Sequence, residues 1–157
     1  MPITSLDAVI YRGMSNTDDN YIRITADMES ATWNTDATHE ILTVTGLVRV
    51  VILAECTESL VGAGATISLG TEAVADAWIA DTTADDIDAG QLWYDAAAHV
   101  TNINTATAIV DKVVIGEDIG YEIDTAALTD GTMVFHVWWQ PISAGSVVVA
   151  GAGGALA

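Results

Sequence analysis

The sequence predicts an all-β fold: an antiparallel β-sandwich, jelly-roll-like, with an extended N-terminal arm. Three observations predict it. Apolar residues recur with period two over short segments, the mark of strands with one buried face. Those segments follow one another at roughly ten-residue spacing with turn residues between them, the rhythm of a sandwich or barrel. No amphipathic helix of convincing length and no internal repeat interrupts the pattern.

The clearest element is the stretch from His39 to Glu58. Leu42, Val44, Gly46, Val48, Val50, Ile52, Ala54 and Cys56 share the even parity, while Thr43, Thr45, Arg49, Glu55 and Thr57 fall on the odd one. Its Val, Ile and Thr content suits a pleated surface. A single strand here would far exceed the usual length of about five or six residues. Gly46 is therefore the expected bend or change of sheet, giving one sharply bent strand or two strands meeting at Thr45-Gly46.

Taken from the N-terminus, Leu6, Ala8 and Ile10 alternate and predict a first strand ending at Arg12-Gly13. Residues 15–20 are loop by composition. Tyr21 to Thr25 reads as a short strand with Ile22 and Ile24 on one side, and Asp27 to Asp36 as loop, with room for one turn of helix. After the central stretch, Leu60 to Gly64 predicts a turn and Thr66 to Gly70 a strand with Ile67 and Leu69 inward. Thr71 to Ile79 is ambiguous between strand and helix. Asp81 to Gly90 reads as a long polar loop, Leu92 to Tyr94 as a short strand, and Ala96 to Ala108 carries no clear pattern. Ile109 to Ile115 is a strand and Gly116-Glu117-Asp118 a turn. Ile119, Tyr121 and Ile123 face inward from the next strand. Thr129-Asp130-Gly131 is a hairpin signal, because Asp-Gly supplies positive φ. Met133, Phe135, Val137 and Trp139 then form an inward face opposite Thr132, His136 and Gln140, until Pro141 stops the ladder. Val147 to Val149 is a last edge strand. The organisation is thus an arm with the first strands over 1–35, a β-sandwich domain over 36–150, and a Gly/Ala tail over 151–157.

Composition limits the function. Against 22 Asp and Glu stand 4 Lys and Arg, a formal net charge of −18 among 157 residues. Duplex DNA or RNA binding needs a basic footprint and is not expected, nor is binding to anionic membrane. No apolar run approaches the roughly 18 residues that cross a bilayer. MPITSLDAVIYRG has no basic region, apolar signal core or cleavage pattern, so a secreted precursor is not expected. Cys56 is the single cysteine, which rules out an intrachain disulfide. It lies on the apolar parity and reads as a small buried hydrophobe.

Chemistry-bearing patterns are sparse. G-x-G-x-x-G, P-loop, G-x-S-x-G, H-E-x-x-H and C-x-x-C motifs are all absent. No catalytic, cofactor-binding or metal residues are expected. His39, His99 and His136 are far apart and read as solvent-facing or hydrogen-bonded strand residues. Asp81, Asp85, Asp86 and Asp88 form the best calcium candidate, since hard cations want clustered oxygens, but the EF-hand pattern is missing and a solvated loop is the simpler reading. Acid pairs of the glycosidase kind carry no signal in a chain with 22 acids. Of Trp33, Trp78, Trp93, Trp138 and Trp139, the last two are adjacent on a strand and must point to opposite faces. The outward one fits a subunit contact, or a sugar platform. A Gly/Ala tail cannot order itself, because glycine loses most entropy on fixing. A neighbouring subunit is the expected surface to hold it.

Leu42-Thr43-Val44-Thr45-Gly46 with Val48 to Ile52 and Ala54-Glu55-Cys56-Thr57 resembles a recurring module of tailed-phage structural proteins. So do Gly64 to Thr71, and Gly131 to Gly145 with Val147 to Ala150. The resemblance covers roughly His39 to Ala150 and is to head decoration (cement) proteins. It implies a bacteriophage virion protein on the capsid exterior that binds the major capsid protein, forms a homotrimer, and has no catalytic residues. Other virion components (tail, collar or fibre) and a carbohydrate-binding adhesin module are the alternatives.

Overall fold

The computed structural model describes residues 20–95 and 111–154. Among them are ten strands and one 3-10 turn: β1 Tyr21–Asp27, β2 Ala37–Thr45, β3 Leu47–Val61, β4 Thr66–Thr71, β5 Ile79–Thr83, the 3-10 turn Ala84–Asp86, β6 Leu92–Trp93, β7 Asp111–Ile115, β8 Ile119–Asp124, β9 Asp130–Pro141 and β10 Val147–Ala150. They form two antiparallel sheets. Sheet A has the order β1-β9-β3-β6, with β7 also pairing β3; sheet B has the order β10-β2-β8-β4-β5.

The order follows one rule. β1 pairs with β9, β2 with β8, β3 with β6 and β7, and β4 with β5. This is a long hairpin folded back on itself and rolled so that alternate strands fall in opposite sheets, the arrangement of a jelly roll. β10 adds an edge to sheet B. The facing interiors bury one continuous core, including Val48, Val50, Ile52, Ala54, Cys56, Ile67, Leu69, Trp93, Ile119, Tyr121, Ile123, Met133, Phe135 and Val137.

The central stretch is two strands in two sheets, and Gly46 is the corner between them. Gly46 sits at φ +74, and a Cβ there would lie 2.6 Å from Ser146 Oγ. Only glycine holds the left-handed conformation here without strain, and the approach leaves no room for a side chain. Even parity is buried as expected from Leu42 onward. Upstream a bulge between Glu40 and Leu42 shifts the register, so His39 and Ile41 face inward on odd parity.

Several expectations need correction. Leu60 and Val61 are not turn: β3 stays paired to β9 through two register shifts as far as Val61↔Asp130, and the turn begins at Gly62. Thr71 to Ile79 is neither helix nor strand between its ends; Thr71, Val74 and Ala77 form successive backbone turns that fold over β4. Asp81 to Thr83 are in β5 and Ala84 to Asp86 in the 3-10 turn, because Thr82, Ala84 and Ile87 are buried beneath an otherwise polar surface. The Thr129-Asp130-Gly131 hairpin does not form. β8 lies in sheet B and β9 in sheet A, so this connection crosses the sandwich and Asp130-Gly131 opens β9.

The N- and C-terminal expectations divide at the described residues. The predicted Leu6 to Gly13 strand, most of the arm and the Ala96 to Ala108 stretch lie outside them. From Asn20 onward the stretch belongs to the sandwich: the short strand expected from Tyr21 is β1, the edge of sheet A, and Met28 is buried. Residues 151–154 of the tail are held by their own chain. The β10-β2 ladder simply continues, with Gly151 N–H donating to Ile41 O (2.8 Å), Gly153 N–H to Glu40 O (3.0 Å) and Glu40 N–H to Gly154 O (2.9 Å).

Candidate functional site

The outward face of sheet A gathers the side chains with most capacity for recognition. Registry places them in rows across β1, β9 and β3. Tyr21, Trp138 and Val51 share one row, and Arg23, His136 and Leu53 the next. Side chains two apart on a strand share a face, so these rows are neighbours. Trp138 points outward and Trp139 inward, where it packs against the core. That division follows from adjacency, as the sequence implied.

A hydrogen-bond chain runs through the rows. His136 Nε2 lies 2.9 Å from Glu55 Oε2, and His136 Nδ1 lies 2.6 Å from Tyr21 Oη. A carboxylate only accepts, so in the neutral ring Nε2 carries the proton and Nδ1 accepts from the Tyr21 hydroxyl. The chain fixes the imidazole, which stacks on Tyr21 at 6.1 Å and on Trp138 at 6.3 Å between centroids, while Tyr21 and Trp138 meet in a tilted pair at 5.5 Å. Arg23 donates to Thr25 Oγ1 (3.0 Å), and Arg49 to Gln140 Oε1 (3.4 Å). The chemistry on offer is stacking plus charge-assisted hydrogen bonding from an exposed, preoriented surface.

The remaining candidates are structural. His39 is buried, with Nδ1 2.9 Å from Thr32 O and 3.1 Å from Gly153 O, and Nε2 2.8 Å from Thr35 O. It stacks on Tyr121, whose hydroxyl donates to Trp33 O at 2.6 Å; burial pushes the Tyr121 phenol far above its ordinary value. His39 is therefore a hub joining the loop after β1 to the C-terminal tail. His99 lies outside the described residues. The four aspartates of the calcium candidate do not converge: Asp81 is on β5, Asp85 Oδ1 accepts from Gly62 N–H (2.7 Å), and Asp88 Oδ1 accepts from the Ser59 hydroxyl (3.3 Å). Among the described residues no group of three His, Cys, Asp or Glu side chains is placed to hold a metal ion. Trp93 is core and donates to Thr82 Oγ1, Trp78 is core, and Trp33 covers Gly153.

Cys56 is fully buried, its thiol donating to Glu58 O at 3.0 Å. Burial raises its pKa from 9.0 to about 11. The thiolate is the reactive form, so in the folded protein Cys56 is expected to resist maleimide at pH values where a free cysteine reacts in seconds. Its labelling rate should follow global unfolding, read by mass spectrometry over a urea series. Because the folded pKa is raised, this group's contribution to stability is complete below pH 9.0 and declines as pH rises towards about 11, where the unfolded chain ionises first.

Sequence reasoning missed the Tyr21–His136–Glu55 chain. Its members are 115 and 81 residues apart in sequence. The available signal was parity: His136 and Trp138 share the outward side of β9, and Tyr21 and Arg23 that of β1. No protein-family model, curated protein or solved structure matches this chain.

Proposed function

We propose that this chain is a structural virion protein that binds the exterior of a tailed-phage capsid and stabilises the shell, without catalysis. The observation that carries the reading is the rolled strand order, since the jelly roll recurs in viral capsid domains. The resemblance of the strand patterns of the His39 to Ala150 segment to those of head decoration proteins also supports it. A protein of this kind acts by mass action: binding the assembled lattice and not the free subunits stabilises the shell by RT ln(1 + [L]/Kd). The test is quantitative proteomics of purified particles. Copy numbers on the order of hundreds per particle fit a head protein under the lattice linkage above. A handful would move the protein to tail or collar, and its absence from particles would end the reading.

A carbohydrate-binding module is the second reading, favoured by one observation: Tyr21 and Trp138 present adjacent rings on an exposed sheet face, beside the hydrogen-bonding His136, Glu55 and Gln140. Jelly rolls also serve as lectin domains. Binding on a glycan array that disappears in Trp138→Ala would establish it.

A further inference from the structure

We infer that the outward face of sheet A is a two-fold contact with a second copy of this chain, a pairing that departs from the homotrimer the resemblance implies and does not depend on the virion reading. The face has the composition of a protein interface. Tyr21, Trp138 and Arg23 share cross-strand rows with half-buried Val51 and Leu53, and β7 adds Val113 and Ile115, exposed by 63% and 70%. Aromatic residues and arginine are enriched in contact hot spots, and contiguous exposed apolar surface rimmed by charge marks an interaction site.

Charge selects the occupant. Two copies of a chain at −18 repel over most of their surfaces. The described cations are Arg23, Arg49 and Lys112, and all three are on sheet A. Among the described residues, a copy-to-copy contact in which charges attract therefore draws its cations from this sheet. On the outward side of β3 the two charges Arg49 and Glu55 stand apart. Arg49 lies at one end of the β3 segment, and Glu55 lies about 20 Å away, six residues along the strand.

An isologous contact must be self-complementary under a half-turn. For two faces in contact the axis lies in the plane between them. Let it run across the strands, between the row of Val51 and the row of Leu53. Then Val51 meets Leu53, Trp138 meets His136, and Tyr21 meets Arg23. One step further out, Arg49 meets Glu55, and Val113 meets Leu92, which lies beside Glu55 on β6. Each row finds an apolar, stacking, cation–π or ion-pair partner. The two sheets then pack in the aligned manner usual for sandwiches.

Sedimentation equilibrium on the full chain tests this. The expected result is a reversible dimer. Arg49→Glu and Glu55→Arg should each weaken it at least about tenfold, and the double variant, which restores the ion pair with its sign exchanged, should recover to within about threefold of the parent. Glu55 also bonds His136, so each variant's fold is checked by circular dichroism. Leu53→Asp, a change at a half-buried outward position, serves as a second disruptor and should leave only monomer. A monomer at every attainable concentration overturns the inference, as does a trimer. A dimer indifferent to both Arg49→Glu and Leu53→Asp overturns it, and a double variant that stays dissociated overturns this half-turn. A monomer whose tryptophan emission shifts with added oligosaccharide would make the face a sugar platform instead.

Discussion

Gly70→Ala is expected to destabilise the protein by about 3 kcal/mol, at the upper end of what overpacking costs, or to block folding. Gly70 is on β4, opposite Gly120 of β8, and the 72–78 connection folds back over it. A Cβ at this position would stand 2.1 Å from Val74 O and 2.3 Å from the Ala75 carbonyl carbon. Both are backbone atoms, so no rotamer change relieves the overlap. The turn itself would have to lift, and with it the bonds Thr71 N–H to Val74 O and Trp78 N–H to Leu69 O. Trp78 is part of the core, so the damage reaches the interior. A urea titration reads the effect. Gly154→Ala is the control: nothing lies within 4 Å of its Cβ position, and a change within about 0.5 kcal/mol is expected, as for surface sites generally. A Gly70→Ala protein as stable as the parent would show that the 72–78 connection is not seated on β4.

The same site shows where sequence legibility stops. Ile67 and Leu69 were readable as inward because period two exposes a buried face. Ser68 and Gly70 are buried as well, on the other side of β4, and nothing local announces it: the cover of Gly70 comes from a connection whose Ala-rich composition fits several structures. The Asp130-Gly131 step fails for a related reason. Asp-Gly marks a backbone conformation, and Gly131 does sit at φ +113, but a conformation does not specify which sheet the next strand joins. Gly46 was legible because two long alternating runs meet there and keep their parity across it. His39 was legible only as solvent-facing or hydrogen-bonded; the bulge between Glu40 and Leu42 inverts parity upstream and puts its imidazole in the buried, hydrogen-bonded case.

On the outward face of sheet A the individual sides were legible and the assembly was not. Trp138 and Trp139 had to separate, and odd residues of β3 had to be polar-facing. That Tyr21, His136 and Glu55 touch depends on β9 lying between β1 and β3, a consequence of rolling the long hairpin and not of any spacing along it. Val134 makes the point from the other side. It has outward parity, yet it is buried and stands apart from the central cluster, because neighbours on the adjacent strands close over it.

Removing residues 151–157 is expected to lower the stability of the isolated chain by about 3 kcal/mol, a fall of about 6–12 °C in Tm for a domain of this size. The tail was expected to be ordered by a neighbour, and that expectation predicts no change in an isolated molecule. The geometry predicts the reverse. Gly151 N–H, Gly153 N–H and Glu40 N–H all take part in the continued ladder, and Gly153 O lies against the His39 ring. Each net bond contributes about 0.5–1.5 kcal/mol, and truncation also strands Glu40 N–H and uncovers Trp33. Gly153→Ala should reproduce part of the loss. Its φ of +77 costs a side-chain-bearing residue roughly 1–2 kcal/mol. Its Cβ would in addition stand 2.7 Å from the Trp33 ring. Thermal unfolding at low protein concentration, where association is negligible, separates the two cases: a truncated chain that melts with the parent would return the tail to a role between subunits.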